Sequence, residues 1–143
     1  MILIDANILL YAYDASSPQH KRARVWLEQA LSGEDDVRIA LLSLLAFLRI
    51  STNPAVFERP LQPEDAIEIV RSWLAQPGVG VAEPSGRHWT VLAGLAQAGR
   101  ARGPLLMDAH LAALAMEHGS MLCTTDRDFA RFPQLRFRDP LGA

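Results

Sequence analysis

The sequence predicts an α/β fold in which a short, mainly parallel sheet is covered by helices on both faces. The apolar run 2–4 is too short to be anything but a buried strand, and 37–40 is predicted to be a second strand. Longer segments with apolar residues at helical spacing lie between these runs. This alternation indicates βαβ units, which bury a parallel sheet between layers of helices.

The N-terminal half is predicted to hold two strands and four helical segments. A Ser-Ser-Pro sequence at 16–18 is a helix-start signal, and Gly33 ends the helix that follows. Pro63 begins a later helix, and the two acidic residues after it favour the N-terminus because they complement the helix dipole. The predicted segments are a strand over 2–4, helices over 8–13 and 20–31, a strand over 37–40, a helix over 43–51 and a helix from 63 that stops at Pro77.

The C-terminal half continues the alternation of strands and helices. Gly119 stops the clearest helix of the chain, which begins at Asp108, and Pro133 breaks a later helical turn. The predicted segments are a strand over 79–81, a helix from Ser85 or Gly86 to near Gly99, a helix over 108–118, a strand over 121–125, a helical turn over 128–132 and an edge strand over 135–138.

Size, charge and cysteine content narrow the class of protein. The 143 residues suit one domain, 1–143, and the formal net charge of −2 argues against a protein that coats nucleic acid broadly. No run reaches the roughly 18 apolar residues that a membrane span needs, so we expect no membrane association. We expect no cleavable targeting peptide before the first strand. The single Cys123 cannot form an internal disulfide, so we expect a reducing, cytoplasmic setting.

The positions of three aspartates point to the chemistry. Asp5 ends the first strand, Asp108 opens an apolar helix, and Asp126 closes the fourth strand-like run. In open sheets of this kind, sites form at the carboxyl ends of the strands. If the first and fourth strands are neighbours, the three carboxylates converge, and no cationic partner lies near them in sequence. An ionised carboxylate near a core is costly unless it is paired, so we expect a shared divalent cation.

Carboxylates suit a hard ion such as Mg²⁺ or Mn²⁺, and no Cys/His spacing suggests zinc. Such an ion polarises a phosphoryl oxygen and activates a water nucleophile, which makes a metal-dependent phosphodiester-cutting enzyme the leading hypothesis.

Each acid also has a structural alternative, because aspartate is a preferred helix cap. Asp5 and Asp108 are candidate caps of the helices they precede, and Asp128 is the predicted cap of the turn over 129–132.

The other candidate side chains have simple interpretations as well. His110, two residues past Asp108, is either a general base or a packed or solvated histidine, and His20, His88 and His118 form no motif. Thr124 and Thr125 are ordinary strand residues, or a hydroxyl beside Asp126 orients a bound water. We expect the three tryptophans to pack in the core, since they lie at core spacing on predicted helices: Trp26, Trp73 and Trp89.

Four motifs that follow one another along the chain resemble those of the PIN-domain ribonucleases, most of all the VapC toxins of bacterial toxin–antitoxin pairs. The similarity covers nearly the whole chain. The motifs are Asp5-Ala6-Asn7 after the first strand, Phe47-Leu48-Arg49-Ile50-Ser51-Thr52, Asp108-Ala109-His110-Leu111-Ala112-Ala113 and Thr124-Thr125-Asp126-Arg127-Asp128-Phe129.

This resemblance implies a three-layer α/β/α fold and cleavage of RNA that depends on Mg²⁺ or Mn²⁺. It implies Asp5, Asp108 and Asp126 as the catalytic, metal-binding acids, with Asp128 as a weaker addition. It also implies inhibition by a cognate VapB-type antitoxin and a homodimer. We expect antitoxin contacts around Trp26 and Phe57.

The chain departs from the family pattern at one position. A glutamate often precedes the Phe-Leu-Arg block, whereas this chain has Ala46, which has no ligand atom. We expect waters or Asp128 to fill that place, with weaker metal affinity. Candidates for a phosphate-binding rim are Arg49, Arg100, Arg102 and Arg127, and Arg49 has the alternative of pairing with a nearby acid.

Three rival functions stay open at this level. A metal-independent ribonuclease would cyclise through the 2′-hydroxyl and ignore EDTA. A phosphatase with Asp5 as nucleophile usually needs a second acid two residues later, where this chain has Asn7. A binding module on the same scaffold, weakened by Ala46, would bind RNA or a partner protein without cutting.

Overall fold

The structure is a computed structural model that describes residues 1–142. Five strands and six helices follow one another with short connections. The elements are β1 (Ile2–Ile4), α1 (Ala6–Tyr13), α2 (His20–Ser32), β2 (Val37–Ala40), α3 (Leu41–Ser51), α4 (Pro63–Leu74), β3 (Val79–Ala82), α5 (His88–Ala98), α6 (Leu105–Glu117), β4 (Met121–Cys123), a 3₁₀ turn (Arg127–Arg131) and β5 (Phe137–Arg138).

The strands form one sheet in the order β3-β2-β1-β4-β5, and every neighbouring pair is parallel. The first strand lies at the centre, between β2 and β4, with Ile2 opposite both Val37 and Met121. The expectation that the first and fourth strands are neighbours is therefore confirmed. Because all strands run in one direction, their carboxyl ends share one edge of the sheet, called here the carboxyl edge.

Side chains of adjacent strand residues point to opposite faces, and each face has its own core. Ile4 packs with residues of α1 to α4, whereas Leu3 packs with residues of α5 and α6. The sheet is thus the middle of three layers, as predicted. No helix within residues 1–142 is both long enough and apolar enough to cross a membrane.

The sixth helix is buried on almost every side. Ala109 and all residues from Leu111 to Ala115 are buried, and four of these six positions are alanine. The helix begins at Leu105, three residues before the predicted start, because Pro104 already has helical angles of φ −58° and ψ −27°. Asp108 therefore lies in the first turn of α6, and its predicted role as N-cap is wrong.

One predicted core residue lies outside the core. Trp89 is 79% exposed, whereas the preceding His88 is buried. Successive residues on a helix point about 100° apart, so the burial of His88 turns Trp89 towards solvent. Of the other two tryptophans, Trp73 is buried and Trp26 packs partly buried against the core, so the expectation is confirmed for both.

Candidate active site

Asp5 lies directly after β1 at the carboxyl edge, where it is the N-cap of α1. Its Oδ1 accepts a hydrogen bond from the Ala6 N–H at 2.7 Å. Its Oδ2 accepts one from the Thr124 hydroxyl, also at 2.7 Å. Thr124 follows β4, and the parallel pairing of β4 with β1 brings the two side chains together. The capping role of Asp5 is confirmed, and the Thr124 hydroxyl holds its second oxygen.

Asp126 lies beyond β4 on the same edge. Its N–H donates to the Thr124 hydroxyl oxygen at 3.0 Å, and its Oδ1 accepts from the Asp128 N–H at 2.8 Å. It is the N-cap of the 3₁₀ turn, so the prediction that Asp128 caps this turn is wrong. The cap must be the extended residue that precedes the turn, whereas Asp128 lies inside the turn and is exposed.

Asp108 is the carboxylate whose surroundings oppose its charge most clearly. Burial, followed by the negative charges of three neighbouring aspartates, raises its pKa to about 6, while Arg131 acts in the opposite direction. In decreasing order of effect, the neighbours are Asp126, Asp5 and Asp128. Electrostatic coupling of this kind requires proximity, so α6 and the carboxyl edge bring the predicted acids into one region.

The pKa of Asp5 is raised as well. Burial is the main cause, the negative charge of Asp126 adds to it, and the hydrogen bonds from Thr124 and Ala6 oppose it. No ion pair within residues 1–142 neutralises Asp5, Asp108 or Asp126. The region therefore concentrates negative charge that the described protein groups leave largely uncompensated.

The donor chemistry fits a hard divalent cation. The set contains only carboxylate oxygens, which Mg²⁺ and Mn²⁺ prefer. Asp108 accepts no hydrogen bond from any described residue, so both of its oxygens are available to a cation. In the described part of the chain, no three Asp, Glu, His or Cys side chains lie close enough together to hold an ion as they stand. Binding therefore requires the carboxylates to move closer, which a cation would favour by removing their mutual repulsion.

The predicted arginine rim is exposed. Arg49, Arg100, Arg102 and Arg127 all face solvent, and none forms an ion pair with a described acid. Arg131 was not predicted; its charge acts on Asp108, and its guanidinium donates to the Gly99 carbonyl at 3.3 Å. Only its electrostatic effect on Asp108 distinguishes it from the other surface arginines.

His110 does not stand alone, although no local sequence pattern indicates its partner. Its Nδ1 is 3.0 Å from Nε2 of His88, whose Nδ1 contacts the buried carboxylate of Glu117. Burial and the neighbouring His88 lower the pKa of His110, and Glu117 opposes them. His88, which belongs to no sequence motif, thus has a structural partner, because residues 22 positions apart meet where α5 packs on α6.

Away from the acids, a groove of about 570 Å³ lies between α1, α2 and α4. Its wall combines apolar and polar residues: Ala12, Tyr13, His20, Arg24, Leu27, Glu28, Leu31, Ser32, Ser72, Trp73 and Gln76. Trp26 and Phe57, around which partner contacts are predicted, line two other pockets, of about 520 and 70 Å³.

Comparisons with known proteins agree with this architecture. The PIN-domain family matches residues 2–135. Ribonuclease VapC37 of Mycobacterium tuberculosis is 44% identical over 140 residues, which are 98% of this chain and 97% of the relative. Ribonuclease VapC33 of the same species is 38% identical over 141 residues, 99% of each chain. The structure of VapBC-1 from nontypeable Haemophilus influenzae has a TM-score of 0.69 at 19% identity, over 99% of this chain and 100% of that chain.

The family match spans most of the chain, and both relatives align along nearly their full lengths. The sheet order, the three layers and the four sequence motifs all agree with it. The chain therefore belongs to the PIN-domain family and, within it, to the VapC-type group.

Proposed function

We propose that this protein is a Mg²⁺- or Mn²⁺-dependent endoribonuclease and the toxin of a type II toxin–antitoxin pair. The observation that carries the proposal is the acidic group around Asp108, where burial, together with the negative charges of the neighbouring aspartates, raises the pKa of Asp108 to about 6. Carboxylates in this state favour the binding of a divalent cation. RNA as substrate is supported by relatives named as ribonucleases that align with the full chain.

Asp5, Asp108 and Asp126 would hold the cation, with Asp128 as an additional ligand. When bound, the cation would neutralise the acids, polarise the scissile phosphate and sharpen a water nucleophile. The chain itself orients the ligands: Thr124 and the Ala6 N–H hold Asp5, and the Asp128 N–H holds Asp126. Hydrolysis by water in line with the leaving oxygen gives a 5′-phosphate and a 3′-hydroxyl.

The exposed arginines would bind the substrate backbone. Arginine matches phosphate with two parallel donors, and the four rim arginines have no described acid as a competing partner. Single-stranded regions or loops of RNA are the expected target, because their unstacked bases can be splayed onto a protein surface.

The test is to incubate purified protein with total RNA, with Mn²⁺ or with EDTA, and to map the new ends. We expect cutting only with Mn²⁺, 5′-phosphate ends, and loss of cutting in Asp5→Asn and Asp108→Asn, while circular dichroism stays unchanged. Asp35→Asn, at an exposed position outside the acidic group, is the matched control and should cut normally.

Cutting in EDTA, with 2′,3′-cyclic phosphate ends, would support the metal-independent rival. A module that only binds is less well supported, because it depends on Ala46 alone.

We further propose a VapB-type antitoxin as partner, seated in the groove between α1, α2 and α4. The groove is large and mostly apolar, with Arg24 and Glu28 at its rim, and therefore suits an amphipathic helix. The solved neighbours include VapBC complexes, although at 19% identity this likeness supports the fold rather than the partner.

A homodimer is the last part of the proposal. Leu41 is 58% exposed and Leu45 52% exposed, one turn apart on α3, and α3 begins at the carboxyl edge. A second copy would cover this pair of leucines. Light scattering should give twice the chain mass for the wild type and the single chain mass for Leu45→Glu; a wild-type monomer would contradict a dimer.

A further inference from the structure

A buried polar network joins the end of α6 to the start of α5. Glu117 is fully buried, and its Oε1 accepts from both the N–H and the hydroxyl of Ser85, at 2.8 and 2.6 Å. Its Oε2 accepts from Nδ1 of His88, which is also buried. Nε2 of His88 then meets Nδ1 of His110 at 3.0 Å. Burial raises the pKa of Glu117, but the hydrogen bonds from Ser85 and His88 outweigh it and lower the pKa overall.

The network attaches α6 at two points on one face. Glu117 and His110 are seven residues apart, which is nearly two full turns, so both side chains leave the same side of the helix. Both contact His88. Two attachments two turns apart fix the rotation of α6 about its axis as well as its position along α5.

Apolar packing alone defines this rotation poorly. Most of the buried positions of α6 are alanine. Because alanine side chains are small, the helix surface has few projecting groups that interlock with its neighbours. Alanines make similar contacts after a small rotation, whereas buried hydrogen bonds are lost if their geometry changes. The polar network is therefore the element that specifies one orientation of α6.

Asp108 lies on the opposite side of α6 from the network. It is two residues from His110 and nine from Glu117, which correspond to about 200° and 180° around the helix. A side chain extends ~5–6 Å from the helix axis, so a rotation of ~20° moves its end by ~2 Å. A working site tolerates displacements of only about 0.5 Å.

We propose that His88 and Glu117 are positioning residues that hold Asp108 in the acidic site by fixing the rotation of α6. They touch neither the cation nor the substrate. The inference rests on the proposed function, because it assigns Asp108 to a cation site.

The experiment measures Mn²⁺ affinity by calorimetry on the folded protein, without RNA. Glu117→Gln preserves size but removes the charge that receives the Ser85 and His88 bonds, and Glu117→Ala removes all of them. We expect about a 10-fold loss of Mn²⁺ affinity for the first, a larger loss for the second, and a fall in kcat for RNA with KM unchanged. Ser85→Ala removes the hydroxyl that donates to Glu117 and accepts from the Arg87 N–H, but leaves the Glu117–His88 contact. It keeps the test possible if the Glu117→Ala variant does not fold, and it should lose a few-fold in affinity.

Val37→Ala is the matched control for stability. Val37 is buried in the other core, at the start of β2, so its truncation lowers stability without touching α5 or α6. Equal Mn²⁺ affinities in the wild type and the Glu117 variants would overturn the positioning role, as would an equal loss in Val37→Ala. A wild type that binds no Mn²⁺ would overturn the proposed function, and the positioning role with it.

Discussion

Asp108 combines a proposed role in cation binding with a cost to the stability of the metal-free fold. Its folded-state pKa is raised to about 6 from 3.8, so protonation favours folding. That contribution is fully present below pH 3.8 and is lost as the pH rises through about 6. At pH 7.5 an ionised Asp108 therefore destabilises the metal-free protein.

Asp108→Asn removes this charge and should stabilise the metal-free protein at pH 7.5. After discounting for partial exposure, we expect about 1 kcal/mol, or about 2–4 °C in Tm, with little difference at pH 4. Mn²⁺ should raise the Tm of the wild type but not of the variant. Thermal melts at both pH values measure this, with Asp35→Asn as the control for loss of a surface charge. A variant that melts below the wild type at pH 7.5 would contradict the predicted repulsion.

Ala46 offers the opposite change, the addition of a carboxylate. If the family glutamate position borders the acidic site, Ala46→Glu should tighten Mn²⁺ binding, since a fourth carboxylate adds a ligand and negative charge. Calorimetry is the measurement, and Ala55→Glu, at an exposed position beyond α3, controls for added charge. An unchanged affinity would contradict the expectation that alanine at this position weakens metal binding.

At the residue scale, sequence reasoning found the acids but not the groups that hold them. Asp5, Asp108 and Asp126 stand at predicted element ends, where a carboxylate needs an explanation. Their partners obey no local spacing: Thr124 is 119 residues from Asp5, and Arg131 is identified only through its effect on Asp108. Such contacts depend on strand order, which a single sequence does not encode locally.

At the scale of single elements, Gly99 at the C-cap of α5 and Gly94 within that helix have opposite requirements. A Cβ on Gly99 would lie 2.8–2.9 Å from the ring of Phe132, which is buried beside it. A Cβ on Gly94 would meet nothing within 4 Å. The first glycine lets the 3₁₀ turn pack against the end of α5, whereas the second lies in an exposed helix interior.

Alanine at the two positions should therefore have effects of opposite sign. Gly99→Ala should destabilise the protein by about 1–3 kcal/mol, because Phe132 must shift in a packed core. Gly94→Ala should stabilise it by about 0.5–1 kcal/mol through helix propensity. Urea unfolding of both variants measures the pair, each serving as control for the other. Equal effects would show that the close approach of Phe132 does not constrain Gly99.

The elements themselves follow from the sequence more closely than their ends do. The strand over 37–40 has the predicted bounds, because the acidic residues 34–36 mark its start and three of its four residues are buried. The start of α6 was misplaced, since Pro104 and the apolar residues after it carry no polar start signal. The end of β4 was placed too late, because threonine suits both strands and loops.

For the whole molecule, the alternation of strands and helices in the sequence predicted a parallel sheet with helices on both faces. It did not predict the groove that forms between the helices. The groove arises from the relative placement of α1, α2 and α4, and it is lined by residues from separate parts of the chain. Periodicity reports which face of one helix is apolar; it does not report how far apart two helices lie. The partner surface was therefore predicted around Trp26 and Phe57, which line smaller pockets.

Blocking the groove should separate antitoxin binding from RNA cleavage. Ser72 lies on the wall of the groove and is exposed. Its hydroxyl donates a hydrogen bond only to the Ile69 carbonyl of the same helix. Ser72→Trp should therefore fill the groove at little cost to folding. Because the acids lie at the carboxyl edge, away from this wall, cleavage should continue. Affinity for the product of the neighbouring gene should fall at least 10-fold in a pull-down titration, and coexpression should no longer relieve toxicity.

Glu68→Trp is the matched control: it lies on the same helix but outside the groove, and it should bind normally. Full binding by Ser72→Trp would place the partner on another surface, and the pockets beside Trp26 and Phe57 would then be the next to block.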